Sequence, residues 1–392
     1  MSKLDDLINK LCPNGVEYNR IENVCEISRG IVMSKDYIRD NAGNYPVYSS
    51  QTENNGCLGN INSYKYDGEY ITWTTDGANA GTVFYRTGKF SVTNVCGLLK
   101  VIDSNLSTKF LFYALSITAP NFVNRGMGNA KLMSNVMASI QIPIPPLKIQ
   151  NEIVRILDKF MSLEAELEAE LEARRRQYEY YRDSLLTFGD DVEWKTLADI
   201  VSQDCSISYG IVQPGDGVTN GIPVVRPVDM TSKIVHREGL KQTTKEISDS
   251  YKRTILKGDE LLICVRGTTG IISFAGKDLI GCNVTRGIVP LSFNENIDSS
   301  YMFHILKSTE IQNKIEEKTN GAGLRQINMK DLRELKIPIP SLKNQKKIGN
   351  ILDRFESLCN DITTGLPAEI EARHKQYEYY RDKLLTFNRK EV

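Results

Sequence analysis

Side chains able to do covalent or acid–base chemistry are sparse in this chain of 392 residues. Its three histidines are His236, His304 and His374, the last on what reads as an exposed helix, so catalysis centred on imidazole is not expected. A phosphate-binding GxxxxGK[ST] loop is missing, because TGKF from Thr87 and AGKD from Ala275 lack the upstream glycine and the hydroxyl residue. GMG at 126–128 and GAG at 321–323 are not followed by the third glycine of a dinucleotide fingerprint. Glu316 and Lys318 imitate part of a nuclease metal site, but mixed charge on an exposed helix is the better reading. Eight cysteines, at 12, 25, 57, 96, 205, 264, 282 and 359, form no CxxC pair and read as reduced, buried thiols. No catalytic residue, metal site or cofactor site is therefore expected, and the sparseness favours recognition over catalysis.

The elements that would carry recognition are legible as a repeat. QYEYYRDSLLTF at 177–188 returns as QYEYYRDKLLTF at 376–387, and IPIPPLKIQNEIVRILDKF at 142–160 returns 195 residues on as IPIPSLKNQKKIGNILDRF. A repeat this long implies two modules rather than a solenoid. Both modules open alike, VEYNRIENV at 16 against VEWKTLADI at 192 and SRGIV at 28 against SYGIV at 208, and then diverge. YITWTTD, TVFYRTG, ELLICVRG and GIISFAG read as strands, whereas TKFLFYALSI and SSYMFHILKSTEIQNKIEEK read as one helix each. Each module is thus expected to be mixed α/β.

Long helices follow both IPIP segments. Ile153, Ile156, Phe160, Leu163, Leu167, Leu171, Tyr178, Tyr181 and Leu185 recur mostly at steps of three and four. The second copy runs through Ile348, Ile351, Phe355, Leu358, Ile362, Leu366, Ile370, Tyr377, Tyr380 and Leu384. The spacing predicts a coiled-coil seam, about 60 Å long for about 40 residues. Gly365 and Pro367 should break or restart the second helix. LEAE LEAE LEAR from Leu163 to Arg174 does not hold one face, since each four-residue step advances the stripe by about 40°, and it reads as a spacer extendable in whole units.

Composition is that of a globular protein: 41% hydrophobic, 25% charged and net charge zero. Residues 1–145 carry 13 Lys+Arg against 12 Asp+Glu, and residues 192–337 carry 19 against 18. A nucleic-acid partner would then be bound with a modest phosphate footprint, and a companion protein would supply much of the sequence-independent affinity. No apolar run is long enough to span a bilayer and the first residues lack a signal-peptide core, so no membrane association and a cytoplasmic location are expected.

Two unlike modules, each followed by a nearly identical helix with an IPIP entry, resemble the specificity subunit of a type I restriction-modification system. The resemblance covers essentially the whole chain, and LEAE units are a length-setting device in that family. It implies an α/β architecture: target-recognition domain 1 (1–145), a central coiled-coil helix (146–190), target-recognition domain 2 (191–337) and a distal coiled-coil helix (338–392). The helices would pair antiparallel in a pseudo-two-fold repeat. Each domain would read half of an interrupted sequence in double-stranded DNA, and the helices would dock two adenine methyltransferase (M) subunits, with restriction (R) subunits joining. S-adenosylmethionine and ATP would bind those partners, not this chain. Glycine turns beside side chains that reach phosphates or base edges make Arg29, Lys35, Lys131, Tyr209, Gln213, Arg266, Arg325 and Gln326 the candidate DNA contacts. Tyr180 and Tyr379, one step off the seam, are the candidate partner contacts. The rival readings are a stand-alone nuclease or methyltransferase, and a coiled-coil scaffold that binds only protein.

Overall fold

The computed structural model describes residues 3–126, 128–189, 192–321, 325–361 and 364–390. The chain divides into two compact units, Met1–Glu168 with Ile370–Val392, and Ala169–Glu369. In the first unit, four antiparallel strands lie in the order Cys25–Arg29, Cys96–Val101, Tyr70–Thr74, Val83–Arg86. A second sheet of four places Ala42–Tyr48 between Cys57–Ile61 and Lys89–Val92, and the last of these is a parallel neighbour of Ala42–Tyr48. The second unit repeats the pattern with Leu261–Cys264 between Ile272–Ala275 and Ile288–Leu291, and with Ile222–Val225 parallel to Asn283–Val284.

The IPIP repeat has a structural purpose inside each unit. Gln141–Pro143 pairs antiparallel with Tyr18–Arg20, and Lys336–Ile339 pairs with Glu193–Thr196, so the end of each module is zipped to its beginning. The chain then enters a helix whose fourth residue is a buried glutamine. Gln150 donates to the carbonyls of Asn105 and Pro145 at 2.7 Å each and accepts from the Ser107 amide at 2.8 Å. Gln345 does the same with Asn296, Pro340 and Asp298. A buried amide that satisfies three backbone groups is costly to replace, and this accounts for its recurrence at the 195-residue interval.

A second repeated joint lies two turns further on. Asp158 accepts from Tyr113 Oη at 2.6 Å and pairs with Lys109 at 2.7 Å. Its counterpart Asp353 accepts from Ser300 and pairs with Lys233, while fully buried His304 bridges Asp353, at 2.9 Å from Nε2, to the Tyr178 hydroxyl, at 3.1 Å from Nδ1. Burial pushes the Asp353 carboxyl up, but the hydrogen bonds from His304, Lys233 and Ser300 outweigh it and hold the group well below the usual carboxylate range. His304, Asp353 and Glu356 come within 4.8 Å of one another, as metal ligands would. The Lys233 ammonium already lies between the two carboxylates, 2.7 Å from Asp353 and 2.6 Å from Glu356, where a cation would sit.

The helix Leu147–Leu185 is continuous for 39 residues, whereas the second copy is split into Leu342–Asn360 and Leu366–Leu385. Gly365 precedes the restart and Pro367 occupies its first turn, where a missing N–H costs nothing. Within the first unit, Phe160 stacks on Tyr380 and Glu164 meets His374; within the second, Tyr181 stacks on Phe355. In the first unit the partner numbers fall as the helix advances, so that pair is antiparallel. Leu163 and Leu358 are exposed rather than in the seam, and Ile362 lies outside the described residues.

Two further expectations are corrected. The segment read as one helix from Ser299 is two, Ser299–Leu306 and Thr309–Glu317, because Ser308 turns to cap the second by accepting from the Ile311 amide. All eight cysteines are free thiols, but Cys12, Cys57 and Cys205 are only half-buried, Cys57 at the start of the strand Cys57–Ile61 and the other two outside helices and strands. Among the described residues no helix is long and apolar enough to cross a membrane.

Candidate nucleic-acid interface

One corner of each module is built by the same five backbone hydrogen bonds. In the first unit, Ile31 N donates to Val92 O, Asn94 N to Ile31 O, Thr93 N to Tyr48 O, Gly77 N to Ala130 O and Leu132 N to Thr75 O, at 2.9–3.3 Å. In the second, Ile211 N donates to Val284 O, Arg286 N to Ile211 O, Thr285 N to Val225 O, Gly267 N to Arg325 O and Ile327 N to Val265 O, at 2.7–3.0 Å. Gly30 and Gly210 make the first of these possible, because a Cβ there would lie 1.8 and 2.2 Å from the carbonyl oxygens of Val92 and Val284. The SxGIV echo at 28 and 208 is therefore a packing requirement.

These bonds place residues of the two modules in one-to-one correspondence. Arg29 matches Tyr209, Asp76 matches Arg266, Asn94 matches Arg286, Ala130 matches Arg325, and Lys131 matches Gln326. The backbone is shared and the side chains are not.

In the second module the corner assembles Tyr209, Arg266, Arg325 and Gln326. Gln326 Nε2 donates to Tyr209 Oη at 3.0 Å, and residues Arg266 and Gln326 face each other as an antiparallel bridge. Arg325 pairs with Glu316. Gln213 follows Ile211 on an exposed loop. In the first module, Arg29 Nε donates to Ser134 Oγ at 3.1 Å, which ties it to the segment carrying exposed Lys131, and the Lys131 backbone forms antiparallel β-bridges with both Asp76 and Asn124. Lys35 stands apart on the first turn of Lys35–Asp40, behind the Ser34 cap. Met127 and Ala322–Leu324, within or next to the two glycine turns singled out in the sequence, lie outside the described residues.

Three corner residues escape sequence reading: Asp76, Asn94 and Arg286. The Arg286 guanidinium lies 5.5 Å from the centre of the Tyr209 ring, and Arg226 nearby is held bidentately by Asp229 at 3.0 and 2.7 Å. The signal that could have found them is alignment of SVTN at 91 with NVTR at 283, since the Val-Thr pair makes the same bonds in both copies.

The helices expose an aromatic pair twice. Tyr180 and Tyr379 are 69% and 63% exposed, each edge-on to the next tyrosine at 5.5 and 5.3 Å, and those tyrosines stack on Phe355 and Phe160. The exposed ring is thus backed by a packed one, an arrangement suited to anchoring a partner.

Residues 13–173 and 209–372 match the family model described as the type I restriction modification DNA specificity domain. A type I specificity subunit of Mycoplasma pneumoniae is 34% identical over 373 residues, which covers 93% of this chain and 96% of the relative. The EcoR124I/EcoR124II specificity subunit of Escherichia coli is 37% identical over 307 residues, 74% of this chain and 73% of that one. The crystal structure of a type I S subunit from M. genitalium superposes with a TM-score of 0.57 at 15% identity, covering 95% of this chain and 96% of that one. A chain from a structure on complex assembly and conformational transition of the type I system reaches 0.60 at 14% identity, covering 95% and 98%. At such identities the two structures speak for the fold.

Proposed function

Because the chain belongs to the type I restriction-modification DNA specificity family, it is a DNA sequence-specificity subunit, and we propose that each of its modules reads one half of an interrupted target in double-stranded DNA. The observation that supports this reading best is the matched corner, where five common hydrogen bonds present unlike side chains. A reader of an asymmetric site needs that combination, since backbone geometry fixes the approach to the groove and side chains choose the bases. Arg29, Lys35 and Lys131 act for the first module, and Tyr209, Gln213, Arg266, Arg325 and Gln326 for the second.

The duplicated helices serve identical partners. Two copies of a methyltransferase subunit would dock on them, with restriction subunits added to the assembly. S-adenosylmethionine and ATP chemistry would belong to those partners, and the complex would work in the cytoplasm, where the chromosome lies. The near-zero charge of each module fits a reader whose companions supply phosphate contacts. In gel-shift titrations, chain plus methyltransferase should retain a cognate duplex far better than an unrelated one, and the chain alone should neither cut nor methylate. Cleavage or methylation by the purified chain, or equal affinity for both duplexes, would refute the proposal.

Tyr180→Ala with Tyr379→Ala should weaken methyltransferase binding at each helix by about 2 kcal/mol, roughly 30-fold, while the exposed rings leave folding intact. Calorimetric titration of the double variant checks this. Two subunits bound at unchanged affinity would remove both tyrosines from the interface.

A further inference from the structure

We infer that the corner of the second module reads guanine through Arg266 and Arg286, whereas the first module, with Asp76 and Asn94 at the same two backbone positions, reads cytosine or adenine there. The inference rests on the corner being the DNA-reading site and names the bases that it would take.

Four arginines, at 226, 266, 286 and 325, stand on or next to the backbone positions of the second corner, and their surroundings separate them. Arg226 has both prongs of its guanidinium on Asp229, and Arg325 is paired with Glu316. Among the described residues no carboxylate pairs with Arg266 or Arg286, so their donor forks remain available for an acceptor pair. A planar fork of two N–H donors fits the O6 and N7 acceptors of guanine on the major-groove edge and fits no other base there.

Arg286 is also pre-oriented. Its guanidinium lies over the Tyr209 ring, and the hydroxyl of that ring is held by Gln326. A cation resting on an aromatic face loses fewer rotamers when it meets its ligand, which favours a directed base contact over a loose phosphate contact. Arg266 is half-buried beside the bridge to Gln326, and its backbone is fixed by Gly267 N donating to Arg325 O.

At the matching positions of the first module the chemistry is inverted. Asp76 can only accept, which suits the exocyclic amine of cytosine, and the Asn94 amide offers the donor and acceptor that adenine N7 and N6 require. Asn94 is exposed and Asp76 half-exposed, so both can reach a groove.

The test uses the complex of this chain with its methyltransferase. Its motif is obtained from adenine-methylation sequencing of cells, and binding is then measured on duplexes with each base pair of the motif replaced in turn. Arg286→Gln and Arg266→Gln should each reduce binding to the cognate duplex by about 5- to 150-fold. Each should also make the four bases equivalent at one position, that position should be guanine in the wild-type motif, and both should fall in the same half. Asn94→Ala should relax an A·T pair in the other half. Arg286→Lys, which preserves charge and packing but not the fork, should relax the same position as Arg286→Gln. Circular dichroism and methyltransferase stoichiometry establish that the variants fold.

A relaxed position that is not guanine, or an even loss on cognate and unrelated duplexes, overturns the base assignment while leaving the corner as a DNA contact. Wild-type binding and methylation by both arginine variants overturns the assignment of the corner itself as the reading site.

Discussion

Deletion of Leu167–Glu170, one LEAE unit, is expected to leave both recognised half-sequences unchanged and to shorten the gap between them by about one to two base pairs. The four residues account for about 6 Å of helix, against about 3.4 Å of duplex per base pair. They fall within the uninterrupted helix Leu147–Leu185, which begins in the first unit and ends in the second. Their side chains supply a surface ion pair, Glu170 with Arg174, and neither corner is touched. Beyond the deletion the helix turns by about 40°, which packed side chains can absorb, whereas removing two residues would turn it by about 200° and swing the seam away from its partner. The two-residue deletion should therefore abolish target methylation, while the four-residue deletion moves the spacer. Methylation sequencing of cells carrying each variant reads both outcomes. An unaltered spacer, or altered half-sequences, would rule out the ruler.

The second large effect is expected in the core of the first module. Trp73 is fully buried and its indole Nε1 donates to Leu132 O at 3.0 Å, the residue after Lys131. The ring packs where Gly97 leaves room, since a Cβ at 97 would lie 2.2 Å from it. Trp73→Ala should destabilise the module by about 3–5 kcal/mol, because it opens a cavity and strips a partner from a buried carbonyl. The loss acts on the corner as well, for Leu132 is tied by its amide to Thr75, next to Asp76. Hydrogen exchange of peptides covering 70–101 should accelerate at least 100-fold, and peptides covering 261–291 in the other unit should keep their protection. Equal acceleration in both regions, or in neither, would contradict the placement of Trp73.

Much of this was legible in the sequence because repetition is visible without coordinates. The IPIP segments, the paired long helices and the break at Gly365 and Pro367 follow from spacing, proline chemistry and self-similarity. The SxGIV echo marked the corner before its purpose was known. Missed were residues whose importance lies in what they touch. Gln150 and Gln345 carry no distinguishing mark inside their repeated segments, yet each satisfies three backbone groups. His304 stands in the sequence only as one of three histidines, whereas it joins Tyr178 to Asp353 across 175 positions of chain.

The sequence by itself determined that there are two modules, that they differ, that their helices are copies, and that catalytic motifs are lacking. Each of these depends on composition and local periodicity, which a linear reading contains. Tertiary structure alone decided which side chains share a corner. Arg266 and Arg325 lie 59 positions apart and Tyr209 and Arg286 lie 77 apart, and only strand pairing and the Ile211, Gly267 and Ile327 amides bring them together. Long-range hydrogen bonds of this kind leave no periodic trace, because either partner strand could slip by one residue and present its opposite face. The same bonds in both units fix that register, and with it the correspondence of Asp76 with Arg266 and of Asn94 with Arg286.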